Sequence, residues 1–160
     1  MIVTREQNND VAISLPETMA TFGESRRLDP LLLRPSSHFS FPQGLFGFPE
    51  HTAFALVPTV QGGIYWLHDS SLTFLVVDPF HFFPGHSFDV PNDVLTAIGA
   101  ESPRDVLILT IVTLGSESTT TANLQGPIAL NPRVGLARQF VISDPAADLR
   151  APFVLLQPAT

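Results

Sequence analysis

Short hydrophobic runs separated by polar or turn-forming breaks dominate the chain from about residue 53 onward. The runs are rich in Val, Ile, Phe, Tyr and Thr, and they are bounded by Gly, Pro, Ser or Asp, which is typical of β-strands. Most connections between them are too short for a crossover helix, so we expect antiparallel pairing. The predicted strands are residues 53–57, 63–69, 72–77, 86–90, 105–113, 118–124, 127–131 and 136–142.

Proline and glycine define the segments between these strands. In residues 39–48, apolar side chains are interspersed with Pro and Gly, which excludes a helix and predicts a packed loop that plugs one end of a core. Residues 131–135 suit a type I turn. One segment has a helical pattern, with Asn92 or Asp93 as its N-cap and Gly99 at its end. The pattern therefore predicts a mostly β fold, a small antiparallel β-barrel-like or sandwich domain with one or two short helices.

The length of 160 residues fits one domain with a real core. We expect residues 1–18 to form an N-terminal extension, residues 19–153 the β domain and residues 154–160 a C-terminal tail. Hydrophobic residues make up 44% of the chain and charged residues 14%, which indicates a folded protein rather than a disordered one. The sequence has no signal-peptide pattern and no apolar stretch approaching the roughly 20 residues of a membrane span. These features predict a cytoplasmic protein that does not act on membranes.

The absence of cysteine excludes disulfides, thiolate metal sites and cysteine nucleophiles. The formal net charge is −7, and the sequence contains arginine but no lysine. The arginines are scattered, apart from Arg26 and Arg27, so no basic stripe could follow a phosphate backbone. Direct nucleic-acid binding is therefore not expected. An acidic protein can still act on nucleic acid indirectly, by attracting a basic protein that binds it.

Candidate chemistry concentrates after the predicted strand 72–77, where an Asp-Pro break precedes three phenylalanines and a histidine. His81, His86 and Asp78 could form the site of a metal- or small-molecule-binding β-barrel protein, but their spacing is not that of strand or helix ligands. An Asx-type turn is the structural alternative for Asp78. No phosphate-binding glycine loop, nucleophile elbow or zinc-protease motif is present. The sequence therefore predicts no enzyme, no cofactor and no metal.

Three phenylalanines of this segment, Phe80, Phe82 and Phe83, lie in a proline-bounded loop. Strand alternation would not bury all three, so packing onto the core is one interpretation. The other is exposure of one or two rings, which would form an apolar patch of the kind that marks protein interfaces. A membrane wedge would need nearby Lys or Arg, whereas the neighbours here are acidic.

Five motifs, taken in order, resemble the FliW family of flagellar assembly factors. They are TFGE, FPQGLFGF, YWLHDSSLTFLVVDPFHFFPGHSFDVP, LILTIVT and NLQGPIALNPRVGLARQFVI, and the resemblance extends over about residues 19–153. The chain departs from the usual family pattern at three positions. Phe46 replaces a proline, His68 a glutamine and Gly126 an alanine.

The resemblance implies a small cytoplasmic β-barrel-like protein without enzymatic activity that binds flagellin and the RNA-binding translational regulator CsrA. In that family, export of flagellin frees FliW, which then sequesters CsrA and relieves repression of flagellin synthesis. We expect the same functions here, with the chain monomeric on its own. The predicted partner contacts are Asp78, Phe80, Phe83, Asp89, Asn123, Gln125 and Asn131.

Overall fold

The computed structural model describes residues 19–24, 27–28, 30, 37–115, 120–144 and 147–155. Within them, two short helices are α1 (Pro79–Phe82) and α2 (Asn92–Ala97), and a 3-10 turn spans Pro103–Asp105. None of the helices in this part of the chain has the length and apolar character needed to cross a membrane. The strands are β1 (Met19–Phe22), β2 (Ser37–Ser40), β3 (Ala53–Pro58), β4 (Ile64–His68), β5 (Thr73–Val77), β6 (Phe88–Pro91), β7 (Leu107–Thr113), β8 (Thr121–Ala122), β9 (Ile128–Asn131), β10 (Leu136–Gln139) and β11 (Ala151–Pro152).

Seven of these strands close into a barrel. Their order is β7-β5-β4-β3-β2-β10-β9, and β9 pairs back onto β7 to complete the ring. Among the described strands, β10 and β2 pair in parallel and every other pair is antiparallel. The first half of β7 pairs with β9 and its end pairs with β8, to which β11 adds. A separate ribbon of β1 and β6 lies outside the ring.

Two apolar clusters lie on opposite sides of the barrel wall. Inside the barrel, side chains alternate along each strand as the period of a β-strand requires. Outside it, the ribbon and α2 cover a second cluster that includes Phe22, Phe88, Val94 and Ile108. Because β7 contributes to both clusters, its residues 107–110 are all buried, which explains its continuous apolar run. The interior cluster comprises Phe39, Phe41, Leu45, Phe54, Leu56, Tyr65, Leu67, Val76, Leu107, Leu109, Ile128, Leu130 and Ala137.

Most of the predicted elements are confirmed. The mostly β fold is present, and strands occur in all eight predicted runs, although β8 is only Thr121–Ala122 and residues 116–119 lie outside the described part. The turn at 131–135 is formed, since Gly135 has φ +72 and its N–H donates to the Asn131 carbonyl oxygen over 2.9 Å. Antiparallel pairing holds except between β2 and β10. The predicted extension 1–18 and tail residues 156–160 lie outside the described residues.

Two local predictions need correction. The loop expected at 39–48 begins within strand β2, and only part of it plugs the core, because Phe46 is 53% exposed and Phe48 36%. The N-cap of α2 is Pro91, with no side-chain hydrogen bond, so neither Asn92 nor Asp93 has the predicted role. Gly99 does follow the helix end in a left-handed conformation, φ +69.

Candidate functional site

The Phe-rich segment begins with a cap rather than an open loop. The Asp78 side chain accepts a hydrogen bond from the backbone N–H of Phe80 over 3.0 Å, and Pro79 occupies the first position of α1. This contact confirms the Asx-type turn, and it starts a single helical turn that the sequence pattern does not predict. The turn ends at Phe83, whose N–H donates to the Pro79 carbonyl oxygen over 2.7 Å.

Asp78 is held in the interior by an arginine. Only 3% of the residue is exposed, and its Oδ2 lies 3.3 Å from Nη1 of Arg27. The same guanidinium lies over the Phe80 ring, 5.2 Å from its centre. Burial raises the pKa of Asp78 above its ordinary value, and the positive charge of Arg27 offsets only part of that effect. The Asp78 carboxylate therefore has a structural role.

Three of the seven predicted partner contacts are corrected by burial. Asp78 is enclosed as above, and Phe80 is 2% exposed, with its ring 5.6 Å from that of Phe88. Asn131 is fully buried, and its Nδ2 donates to the Ile98 carbonyl oxygen over 2.9 Å. A partner cannot reach these side chains in this conformation, so the structure gives them architectural roles.

The other four predicted contacts reach the surface in two different regions of the chain, 83–89 and 123–125. Phe83 is half-buried beside α1, and Asp89 is exposed on β6, where it accepts a hydrogen bond from the Thr21 hydroxyl over 2.7 Å. Asn123 and Gln125 lie between β8 and β9, and Asn123 Oδ1 accepts the backbone N–H of Gln125 over 3.0 Å. For these four residues the partner contact stays a prediction.

The alternative metal site at His81, His86 and Asp78 has no geometric support. The His81 ring packs against Phe82 and the His86 ring against Phe88, while Asp78 is paired with an arginine. Within the described residues, no group of three His, Cys, Asp or Glu side chains could hold a metal ion.

An open groove on the outer barrel wall is a surface that the sequence pattern does not reveal. Its floor carries only small side chains because Ala53 and Ala55 occupy two outward positions of β3. The strand register places His38 of β2 and His68 of β4 on either side of Ala55. The groove encloses about 950 Å³ and is lined by His38, Phe39, Ser40, Glu50, His51, Thr52, Ala53, Phe54, Ala55, His68, Asp69, Ser70 and Ser71.

One end of this groove carries a short hydrogen bond between a histidine and a carboxylate. His51 Nδ1 lies 2.6 Å from Asp69 Oδ2, and Asp69 Oδ1 accepts the backbone N–H groups of Ser71 and Leu72. The hydrogen bond from His51, supported by these two N–H groups, holds the pKa of Asp69 well below its ordinary value. With Glu50, the groove contains two carboxylates, and none of the described residues that line it is an arginine.

Comparison with known proteins agrees with this architecture. The sequence model of the family described as FliW protein matches residues 23–153. The flagellar assembly factor FliW of Treponema denticola is 39% identical over 105 residues, which cover 63% of this chain and 71% of that protein. The corresponding protein of Symbiobacterium thermophilum is 36% identical over 120 residues, covering 71% and 87%.

A solved structure extends the likeness to three dimensions. The crystal structure of a flagellar assembly factor FliW matches with a TM-score of 0.65 and 25% sequence identity, and the match covers 78% of this chain and 89% of that one. The family match includes all seven strands of the closed barrel, the capped segment after β5 and the groove on the outer wall. This chain belongs to the FliW family of flagellar assembly factors.

Proposed function

We propose that this chain is a non-enzymatic cytoplasmic protein that binds flagellin and sequesters a CsrA-type RNA-binding regulator. Sequestration relieves repression of flagellin translation when flagellin is scarce in the cell. The observation that carries the proposal is the family match over residues 23–153, which spans nearly the whole described fold. Alone in solution, the chain is expected to be a monomer.

The charge of the chain supports a basic protein partner. The net charge of −7 attracts a regulator whose RNA-binding surface is basic, and it accelerates the encounter at low ionic strength. Among the described residues, the lining of the outer groove contains two carboxylates, Glu50 and the His51-bonded Asp69, and no arginine. Because the pKa of Asp69 is lowered, this carboxylate stays ionised even in mildly acidic solution. The groove is therefore a docking surface of suitable sign.

The geometry of the groove also favours binding over hydrolysis. In a hydrolytic triad, the imidazole stands between the carboxylate and the nucleophilic hydroxyl. Here Asp69 occupies the middle position, because its Oδ2 contacts His51 and its Oδ1 lies 3.4 Å from the Ser71 hydroxyl. Such an arrangement orders the loop but does not activate the serine. This supports the proposal that the chain makes and breaks no covalent bonds.

A protein that responds to two partners needs coupling between their sites. If flagellin lowers the affinity for the regulator, the regulator must lower the affinity for flagellin by the same factor. We assign the four accessible predicted contacts, Phe83, Asp89, Asn123 and Gln125, to one partner surface and the groove to the other. Competition experiments with both partners test this reciprocity.

Association kinetics with the purified cognate regulator and flagellin test the function. We expect binding of both partners at low micromolar concentration or tighter, and a regulator association rate that falls as salt rises. Glu50→Arg should slow association with the regulator, whereas Glu101→Arg, an identical charge change outside the groove, should change it less. Asp89→Arg tests the second surface in the same way. Failure of both partners to bind at low salt would overturn the proposal.

A further inference from the structure

Residues 151–155, which we call the strap, are fixed to the barrel by few contacts. β11 contributes two residues, paired with β8, and the next residue, Phe153, donates its N–H to the Thr120 carbonyl oxygen over 3.2 Å. The Gln61 side chain donates to the Leu155 carbonyl oxygen over 3.0 Å. Val154 is 62% exposed. Segments with so few contacts open at a small fraction of the global unfolding free energy.

The main anchor of the strap is an aromatic side chain. Phe153 packs against both Phe82 and Phe83, with ring centroids 5.2 and 5.5 Å apart and interplanar angles of 63° and 54°. We call the space between these two rings and β8 the aromatic cleft. Tilted and edge-to-face contacts of this kind favour an aromatic occupant over an aliphatic one.

Beneath the strap lies an apolar area of the barrel's outer wall. Phe82, Phe153 and Leu155 pack against buried residues from three neighbouring strands, which are Ile64, Leu75, Val77 and Val112. The floor of the groove, by contrast, carries the small outward side chains Ala53 and Ala55, and its rim carries polar residues such as Ser70 and Ser71. Opening of the strap would expose a contiguous apolar surface, and such surfaces mark sites of protein association.

The register at β11 determines how a second strand could reach this area. The hydrogen bond at Phe153 and the alternation of antiparallel pairs place Pro152 at a position whose nitrogen faces away from β8. A proline there removes the N–H that an additional strand would need at the outer edge. An incoming strand therefore cannot extend the sheet beside β11 at this point, but it can pair with β8 in place of β11.

We propose that the aromatic cleft is a strand-addition site for an extended, aromatic-bearing segment of a protein partner, and that the strap is its intramolecular competitor. The proposal rests on the proposed function as a protein-binding factor and adds the chemistry of the bound segment. The partner backbone pairs with β8, and its aromatic side chain enters between Phe82 and Phe83. Because the strap is tethered, it competes at high effective concentration, and weakening it raises the partner's affinity.

Fluorescence anisotropy with a labelled peptide tests the site. The peptide Arg-Ala-Pro-Phe-Val-Leu copies residues 150–155, and it is titrated against the full chain with and without Phe153→Ala. We expect binding to Phe153→Ala to be tighter by about tenfold or more, because the cleft is then empty. Gln61→Ala loosens the strap but leaves the cleft rings in place, so it should produce a smaller increase. A peptide with Ser instead of Phe is the matched control and should bind neither form.

Several outcomes would overturn the proposal. Equal affinity for the wild-type chain and both variants would do so, as would equal binding of the Ser peptide. If light scattering shows a wild-type dimer that Phe153→Ala dissociates, the cleft belongs to a second copy rather than to a different protein. The assay contains neither flagellin nor regulator, so its failure leaves the proposed function untouched. Conversely, peptide binding without binding of those partners would refute the proposed function alone.

Discussion

Two arginine–aspartate pairs of equal separation allow the effect of burial to be measured directly. Arg27 Nη1 lies 3.3 Å from Asp78 Oδ2, and Arg133 Nη2 lies 3.3 Å from Asp105 Oδ2. In the first pair, 11% and 5% of the side chains are exposed, whereas in the second the fractions are 52% and 21%. Arg27→Gln and Arg133→Gln remove the same charge from these two environments, so the second variant is a control for the first.

We expect Arg27→Gln to lower the free energy of unfolding by about 3–5 kcal/mol near neutral pH, because it leaves the Asp78 carboxylate buried without its counter-charge. A Coulomb interaction at roughly 4 Å with an effective dielectric of about 20 gives a similar magnitude, about 4 kcal/mol. Loss of the guanidinium above the Phe80 ring adds about 0.5–1 kcal/mol. Arg133→Gln should cost only about 0.2–1 kcal/mol, as is usual for a surface pair.

The pH dependence provides a second, independent signature. Burial raises the pKa of Asp78 in the folded chain. A carboxyl group with a raised pKa stabilises the folded state at pH values below its unfolded pKa, and this stabilisation is lost as the pH rises through the folded pKa. Removing Arg27 raises this pKa further. The cost of Arg27→Gln should therefore be largest at high pH and should shrink as the solution is acidified and Asp78 takes up a proton. The Asp105 pKa is lowered, so Arg133→Gln should show no such trend between about pH 8 and about pH 5.

Urea unfolding followed by far-UV circular dichroism at about pH 8 and about pH 5 measures both effects. The double variant Arg27→Gln with Asp78→Asn removes both charges, and it should recover most of the loss at the higher pH. The reasoning is refuted if Arg27→Gln costs no more than Arg133→Gln. It is also refuted if the cost of Arg27→Gln is the same at both pH values.

Three further predictions concern the loop turns, the aromatic residues and the groove. Gly44→Ala should lower the free energy of unfolding by more than about 2 kcal/mol, because φ is +66 and an added Cβ would lie 2.4 Å from a backbone oxygen. Gly47→Ala should lower it by about 1–2 kcal/mol, because φ is +86 but the space around the residue is open. Equal urea midpoints for the two variants would contradict this prediction. Phe80→Ala should lower the free energy of unfolding by about 3–5 kcal/mol because Phe80 is buried, whereas Phe46→Ala should lower it by less than about 0.5 kcal/mol because Phe46 is exposed. The reverse order in the same assay would place Phe80 outside the core. Asp69→Asn should lower the urea midpoint at neutral pH, because a depressed carboxyl pKa stabilises the fold above its unfolded value. That difference should shrink as the pH falls below about 3.9, and a constant difference would rule out the ionised form as its cause.

The strands that the sequence predicts correctly are those whose own residues show a strand-forming pattern. A run such as residues 72–77 combines β-branched and aromatic residues with turn residues at both ends, and β5 forms there. β2 lacks such a pattern, because two of its four residues are serine and a Pro- and Gly-rich loop follows. It becomes a strand through pairing with β3 and with β10, which comes from near the end of the chain. Local composition does not encode such distant pairing.

In the candidate site too, features that depend on neighbouring residues can be predicted from the sequence, whereas features that depend on distant residues cannot. The cap at Asp78 is predictable because it depends on two adjacent residues, but the burial of its side chain depends on Arg27, which approaches from another part of the chain. The groove depends on register, since His38 and His68 flank Ala55 only after three strands have paired. Periodicity within one strand identifies an outward position but not its neighbours across the sheet.

The parallel contact between β2 and β10 also constrains how the chain can fold during synthesis. β2 finds its second neighbour only after β10 has left the ribosome, so the wall stays open until residues 136–139 have emerged. Until then, Phe39 and Phe41 lack the residues of β9 and β10 that cover them in the finished barrel. Such long-range closure predicts slow folding, and it makes the incomplete nascent chain the stage most vulnerable to aggregation.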